Sequence, residues 1–344
     1  MNTDVQTYTE TRAAKKLRKK RFHFTIRMMY IVIAFLLGFS TAKVYYEKKY
    51  MIIAPAEGQG MDAAPNPEPQ IPPVPSDGGQ VTKKEKQQNQ QEQLKSLKNA
   101  LIYDFSQKYS KYNMDYSFYI KDLRTNNLVS FNNKKMNSAS LIKLYIMETA
   151  YRKNKLGTQK LAEGREEVIR KMITKSDNES SNILIDDYQI PEINKTIVEL
   201  GFVHTELQRK MYDKLPPEGS TGKNNYTSVE DTAKLLEQIY NGNAISKETS
   251  KKMLDYLKAQ ERINKIPDKI KDIPGVTVAN KTGELNQVEN DAAIISGKNF
   301  DFIFVIIINN IPYDENNKKA NTDLKKELQN HIADMALQLV DFFN

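Results

Sequence analysis

Ser140 and Lys143 stand three residues apart in Ser140-Leu141-Ile142-Lys143, a spacing that puts both side chains on one face of a helix. Two further strings follow, Ser176-Asp177-Asn178 and Lys281-Thr282-Gly283. Serine is a poor nucleophile at neutral pH and needs a base beside it. A lysine serves when burial or neighbouring cations lower its pKa. Each string alone is short enough to arise by chance. In this order, they describe a serine acyl-enzyme site that works without histidine. Ser140 is the candidate nucleophile and Lys143 its base. Ser176 can relay a proton toward a leaving group, and Asn178 can hold an acyl amide. Lys281 brings positive charge, Thr282 a hydroxyl for a carboxylate, and Gly283 room for close approach along a strand edge.

The composition narrows the chemistry by exclusion. The chain has no cysteine, so disulfides, thiol nucleophiles and cysteine metal sites are ruled out. Of its three histidines, His23 lies in a basic tail, His204 follows Gly201-Phe202-Val203 as a loop residue, and His331 falls in a C-terminal helical pattern. A histidine zinc site or a Ser-His-Asp triad is therefore not expected, and no cofactor is called for. The net charge of +8 suggests nucleic acid until it is located. Residues 1–27 carry eight basic residues against Asp4 and Glu10, a net +6, which leaves +2 for the remainder. The basic character belongs to the tail, and no nucleic-acid partner is expected.

The elements that must position the three strings come late in the chain. Residues 1–27 read as a basic cytoplasmic tail, and Met28 to Ala42 is an uncharged run between Arg27 and Lys43. Fifteen helical residues span about 22 Å against a hydrocarbon core of about 30 Å. Apolar flanks and snorkelling Arg27 and Lys43 can make up the difference. Residues 28–46 are thus expected to be a transmembrane signal-anchor, with the C-terminal part of the chain extracytoplasmic at the cell membrane. Ser40-Thr41-Ala42 also has the form of a signal-peptidase site, so a cleaved signal is the competing expectation. Residues 47–90 read as a Pro- and Gln-rich linker, with Lys83 to Gln93 as frayed helix or more tether. From Leu94, apolar residues recur at helical spacing, and residues 91–344 are expected to fold as one domain.

Within that domain, Tyr116–Leu123 and Leu128–Phe131 alternate as strands. Helices are predicted over Ser140–Lys153, 165–175 and 178–187, with Ile190-Pro191 breaking the pattern. Residues 216–226 read as loop, and Ser228–Tyr240 as a helix capped by Ser228. Val276–Thr282, Ala292–Ser296 and Phe300–Ile308 read as strands, the last nearly all apolar and so central and covered on both faces. Asn321–Phe343 is predicted to be a long helix. Strands, then helices, then strands and a helix make an α+β fold, with N- and C-terminal segments sharing a sheet and a helical subdomain between them.

The segment from about residue 90 to 344 resembles the class A β-lactamase-like serine hydrolases, relatives of the penicillin-binding peptidases. The resemblance rests on the three strings, on SDNESSNILI with Asn182 in the place of the family's asparagine, and on KTGELNQVENDAAII with Asn290-Asp291 before the second strand. It implies a five-stranded antiparallel sheet flanked by helices, with an inserted all-helical subdomain. It also implies that Ser140 is acylated with Lys143 as base or relay, and that Ser176 and Lys281 guide protons. Lys281 and Thr282 would bind the substrate carboxylate. The backbone N–H groups of Ser140 and Glu284 would form the oxyanion hole. The substrate would be a β-lactam or a peptidoglycan stem peptide. The sequence departs from the family in two places. Ser140 and Ser176 are only 36 residues apart, so the helical subdomain is shortened. The family's deacylating glutamate falls at Met211, and the nearby carboxylates of Glu206 and Asp213 do not fit its pattern. Slow deacylation is therefore expected, and a catalytically silent cell-wall binding module or a D,D-peptidase-like penicillin-binding protein is the alternative.

Overall fold

The computed structural model describes residues 83–212 and 222–344, all within the unit 78–344. The basic tail, the run Met28–Ala42 and the linker as far as residue 82 lie outside the described residues, as does Asp213. Among the described residues, no helix is long and apolar enough to cross a membrane.

Among the described residues, seven strands form two sheets: β1 (Asp115–Asp122), β2 (Leu128–Phe131), β3 (Met136–Asn137), β4 (Tyr226–Thr227), β5 (Thr277–Leu285), β6 (Val288–Ser296) and β7 (Asp301–Asn309). The main sheet has the order β2-β1-β7-β6-β5, and every neighbouring pair is antiparallel. The chain thus leaves the sheet after β2, builds the helical region, and returns through the β5–β6–β7 meander. β7 lies in the middle, as its apolar run demands. Ile303, Val305 and Ile307 enter one core, and Phe302, Phe304, Ile306 and Ile308 enter the other. The strand period of two explains why so continuous a run is tolerated: both faces are covered.

The second of these cores packs the sheet against α1 (Lys83–Tyr109) and α8 (Lys318–Phe343). α1 begins inside the stretch read as linker. Its glutamines fasten to the β1–β2 turn: Gln87 donates to Thr125 O at 2.5 Å, and Gln91 both donates to and accepts from the Leu128 main chain, at 2.9 and 3.1 Å. His331 is on the buried face of α8, edge-on to Phe105 and Tyr109.

The first core joins the sheet to six of the described helices: α2 (Lys143–Lys155), α3 (Arg165–Thr174), α4 (Asn178–Tyr188), α5 (Ile190–Glu199), α6 (Val229–Tyr240) and α7 (Lys247–Lys258). Two differ from expectation. The helical pattern breaks as expected before Ile190-Pro191, at Gln189 with φ +62°, but Pro191 then opens a further helix, occupying the first turn of α5, where its missing N–H costs nothing. α7 carries only Ser250, Met253 and Leu257 as buried residues, too sparse a stripe to read from the sequence, and Ser246 caps it. Ser228 caps α6 as predicted, accepting from Asp231 N at 3.2 Å.

Candidate active site

Ser140 does not begin a regular α-helix. It sits in a 3-10 turn, Ala139–Ile142, that runs into α2 at Lys143. Ala139 before it has φ +43°, a left-handed conformation costly for a residue with a side chain. Asn137 holds that turn in place. Its N–H donates to Asn309 Oδ1 at 2.7 Å, and its carbonyl accepts from Asn290 Nδ2 at 3.0 Å and Asn309 Nδ2 at 3.3 Å. Its own Oδ1 accepts from Ala139 N at 3.0 Å. On the other side, Ser138 N donates to Asn225 O at 2.9 Å. The turn that carries Ser140 is thus clamped by amides from the ends of β6 and β7, two strands of the main sheet.

Gly283 explains how the third string meets the first. β5 is an edge strand, and a Cβ at Gly283 would lie 2.8 Å from Ser138 O and 3.2 Å from Ser140 N. Any side chain there would push the Ser140 turn off the strand.

The two lysines converge on Ser176. This residue, at φ +58°, lies between α3 and α4, where Asp177 caps α4 by accepting from Ser180 N at 2.6 Å. Lys281 Nζ donates to Ser176 Oγ at 2.8 Å, and Lys143 Nζ reaches the same oxygen at 3.4 Å. Lys143 also donates to Ser176 O at 2.6 Å and to Asn178 Oδ1 at 2.7 Å. Both lysines are fully buried. Burial, the Lys143 ammonium and Arg262 together hold the Lys281 amine well below the ordinary lysine range. Asp177 moves the other way: burial opposes its ionisation, but Ser180 and Lys143 hold its carboxyl below the usual range.

A cleft of about 590 Å³ opens over this floor, and Ser140, Ser176, Asn178, Thr282 and Glu284 line it. The predicted site residues therefore come together, with Lys143 and Lys281 beneath the cleft and Gly283 against the Ser140 turn. Arg209, Arg262 and Lys325 add positive charge to its walls.

The sequence pattern of the beta-lactamase enzyme family matches residues 96–166 and 164–333. The chain belongs to that family. No curated protein matches it in sequence. Among solved structures, it is similar to the β-lactamase from Sphaerobacter thermophilus, at 21% identity and a TM-score of 0.59 over 71% of this chain and 98% of that one. It is also similar to PBP-A, at 22% identity and a TM-score of 0.59 over 70% of this chain and 96% of that one. The chromosome-encoded β-lactamase of Vibrio parahaemolyticus matches at 14% identity with a TM-score of 0.60, over 71% and 99% of the two chains. At these identities, the likeness is one of fold. A mutant of PBP-A has also been solved as an acyl-enzyme complex with penicillin G.

Within this β-lactamase-like frame, the Glu284 side chain faces a buried ionic cluster. Lys265, fully buried, lies 2.8 Å from Glu284 and 2.9 Å from Glu289, and Lys325 lies 2.8 Å from Glu289. Burial alone would lower the Lys265 pKa, but Glu289 and Glu284 raise it above the ordinary value. The cluster ties β5, β6 and α8 together beside the cleft. Neither it nor the asparagine clamp was visible in local spacing, because each joins residues far apart in the chain.

Proposed function

We propose that this protein is a serine acyl-enzyme of the β-lactamase or penicillin-binding type, acylated on Ser140 by β-lactams or peptidoglycan-like peptides and deacylated slowly. The observation that carries the reading is the shared Ser176 hydroxyl, in reach of Lys143 at 3.4 Å and Lys281 at 2.8 Å on the floor of a cleft that Ser140 lines.

The chemistry follows from that chain of groups. Ser140 Oγ attacks the acyl carbon, and its proton passes into the Lys143–Ser176–Lys281 chain. An amine kept toward its neutral form by burial gives that proton a place to go. The acyl carbon–nitrogen bond then breaks, and the leaving nitrogen takes a proton from Ser176, which is refilled from a lysine. Backbone N–H groups of Ser140 and Glu284 would stabilise the oxyanion. Thr282 and Lys281 would bind the substrate carboxylate, and Asn178 the acyl amide.

Hydrolysis of the ester needs a base for water. Met211, which also lines the cleft, cannot supply one. That favours a β-lactam-binding relative over an efficient hydrolase, and it motivates the second reading, a silent cell-wall binding module. Intact-protein mass spectrometry with a labelled penicillin decides between them. A stable adduct on the wild type, absent in Ser140→Ala, is expected. No adduct would leave the binding-module reading. The run Met28–Ala42 with its basic flank supports an extracytoplasmic domain held by a single-pass anchor. Protease added to intact cells should then digest residues 91–344.

A further inference from the structure

Arg209 is a cation in the wall of the cleft that has no carboxylate partner among the described residues. It is 6% exposed and lines the cleft beside Met211 and Tyr212. Its Nε donates to Lys223 O at 3.0 Å and its Nη1 to Lys210 O at 2.9 Å, while the guanidinium lies 4.1 Å from the centre of the Tyr212 ring. These contacts fix its orientation but carry no negative charge. Among the described residues, no carboxylate pairs with it. The other cations on the cleft wall differ: Lys325 lies 2.8 Å from Glu289, and Arg262 3.6 Å from Glu284. A guanidinium removed from water and given only carbonyls and a ring has lost solvation without gaining an ion partner. Its planar fork of donors matches the paired oxygens of a carboxylate.

The surroundings say which part of a substrate would supply that carboxylate. In the proposed reaction, Lys281 and Thr282 take the carboxylate at one end of the substrate, and Asn178 takes the amide on the acyl side. Asn178 Nδ2 lies 3.5 Å from Tyr212 O, and the Tyr212 ring is the one stacked on Arg209. Arg209 therefore belongs to the acyl side of the cleft. Its polar neighbours there, Asn224 and Asn225, are neutral amides that do not compete for it.

We infer that Arg209 forms a second anion subsite in the cleft, which recognises a carboxylate carried on the acyl portion of the substrate. The preferred class is a dianionic acyl donor, one carboxylate meeting Lys281 and Thr282 and the other meeting Arg209. The inference rests on the acylation reading and adds a substrate preference to it.

Benzylpenicillin and carbenicillin differ by one carboxylate on the acyl side chain, which makes them the test pair. The second-order rate of acylation of the full chain should be about tenfold higher with carbenicillin, and the advantage should shrink as salt is raised. In Arg209→Gln, the ratio of the two rates should fall toward one. A loosened loop would slow both drugs and leave the ratio alone, so the ratio separates recognition from folding. Equal rates in the wild type, or a preference that survives in Arg209→Gln, would overturn the subsite. If neither drug labels Ser140, the acylation reading fails separately. The same pair is then compared by calorimetry as reversible ligands of Ser140→Ala. Tighter binding of carbenicillin by about tenfold supports the subsite, and equal binding removes it.

Discussion

Asn182 grips the main chain of Met211 from both sides: its Nδ2 donates to Met211 O at 2.9 Å, and its Oδ1 accepts from Met211 N at 2.8 Å. This two-point hold is what makes a substitution at 211 informative. The backbone there is pinned, so a new side chain inherits a defined place beside the cleft. Met211→Glu should shorten the lifetime of the penicilloyl adduct by roughly 100-fold or more, the usual contribution of a positioned general base. Decay of the adduct mass over time measures this. An unchanged lifetime would mean that residue 211 does not face the ester.

Gly283→Ala should cripple acylation. The added methyl would sit 2.8 Å from Ser138 O, so the strand and the Ser140 turn must separate. A loss of about 1–3 kcal/mol of stability and at least about tenfold in acylation rate is expected. Thermal melting and stopped-flow acylation read the two effects. Near wild-type values of both would refute the close packing.

Asn309→Ala removes two of the bonds that hold Asn137, at 2.7 and 3.3 Å. Asn309 positions the turn without touching substrate, so the limiting acylation rate should fall about tenfold while the reversible Kd for the drug changes little. A change confined to Kd would contradict a positioning role.

Two buried groups give stability opposite slopes with pH. Burial pushes Glu148 up to about 7 despite Arg152, whose Nη2 donates to it at 2.5 Å. The folded state holds that proton more tightly than the unfolded chain, so its contribution is complete below about 4.5 and is lost as pH rises through 7. Burial, with help from Lys108, lowers His331 to about 4. There the unfolded chain takes the proton first, so stability is lost as pH falls from about 6.5 toward 4. Each is worth up to about 3 kcal/mol, and they offset one another in the wild type. Urea unfolding across this range should show Glu148→Gln gaining stability relative to wild type above pH 7. His331→Leu should gain it at about pH 4. Parallel curves for all three proteins would rule out both assignments.

The three candidate strings were legible because their meaning is local. Ser140 and Lys143 are one helical turn apart, and Ser228 with Asp231 spells a cap that the structure repeats. The all-apolar β7 announced its own central place. What stayed hidden was relational. Asn137 meets Asn290 and Asn309 across 153 and 172 residues, separations that no periodicity marks. Pro191 looks the same whether it stops a helix or starts one. Arg209 is set apart from a surface arginine by its burial and by having no carboxylate beside it among the described residues, facts that exist once neighbours are known.

The glutamines of α1 also give the domain a handle. Gln87 and Gln91 fasten the beginning of the helix to the β1–β2 turn and the start of β2, one edge of the sheet, whereas the cleft opens at β5, the other edge. Four strand spacings, about 19 Å, separate the two. A dye, affinity tag or solid support joined just before Lys83 would thus start from the side remote from Ser140. Immobilised protein should keep its mouth open to ligands as large as polymeric cell-wall fragments.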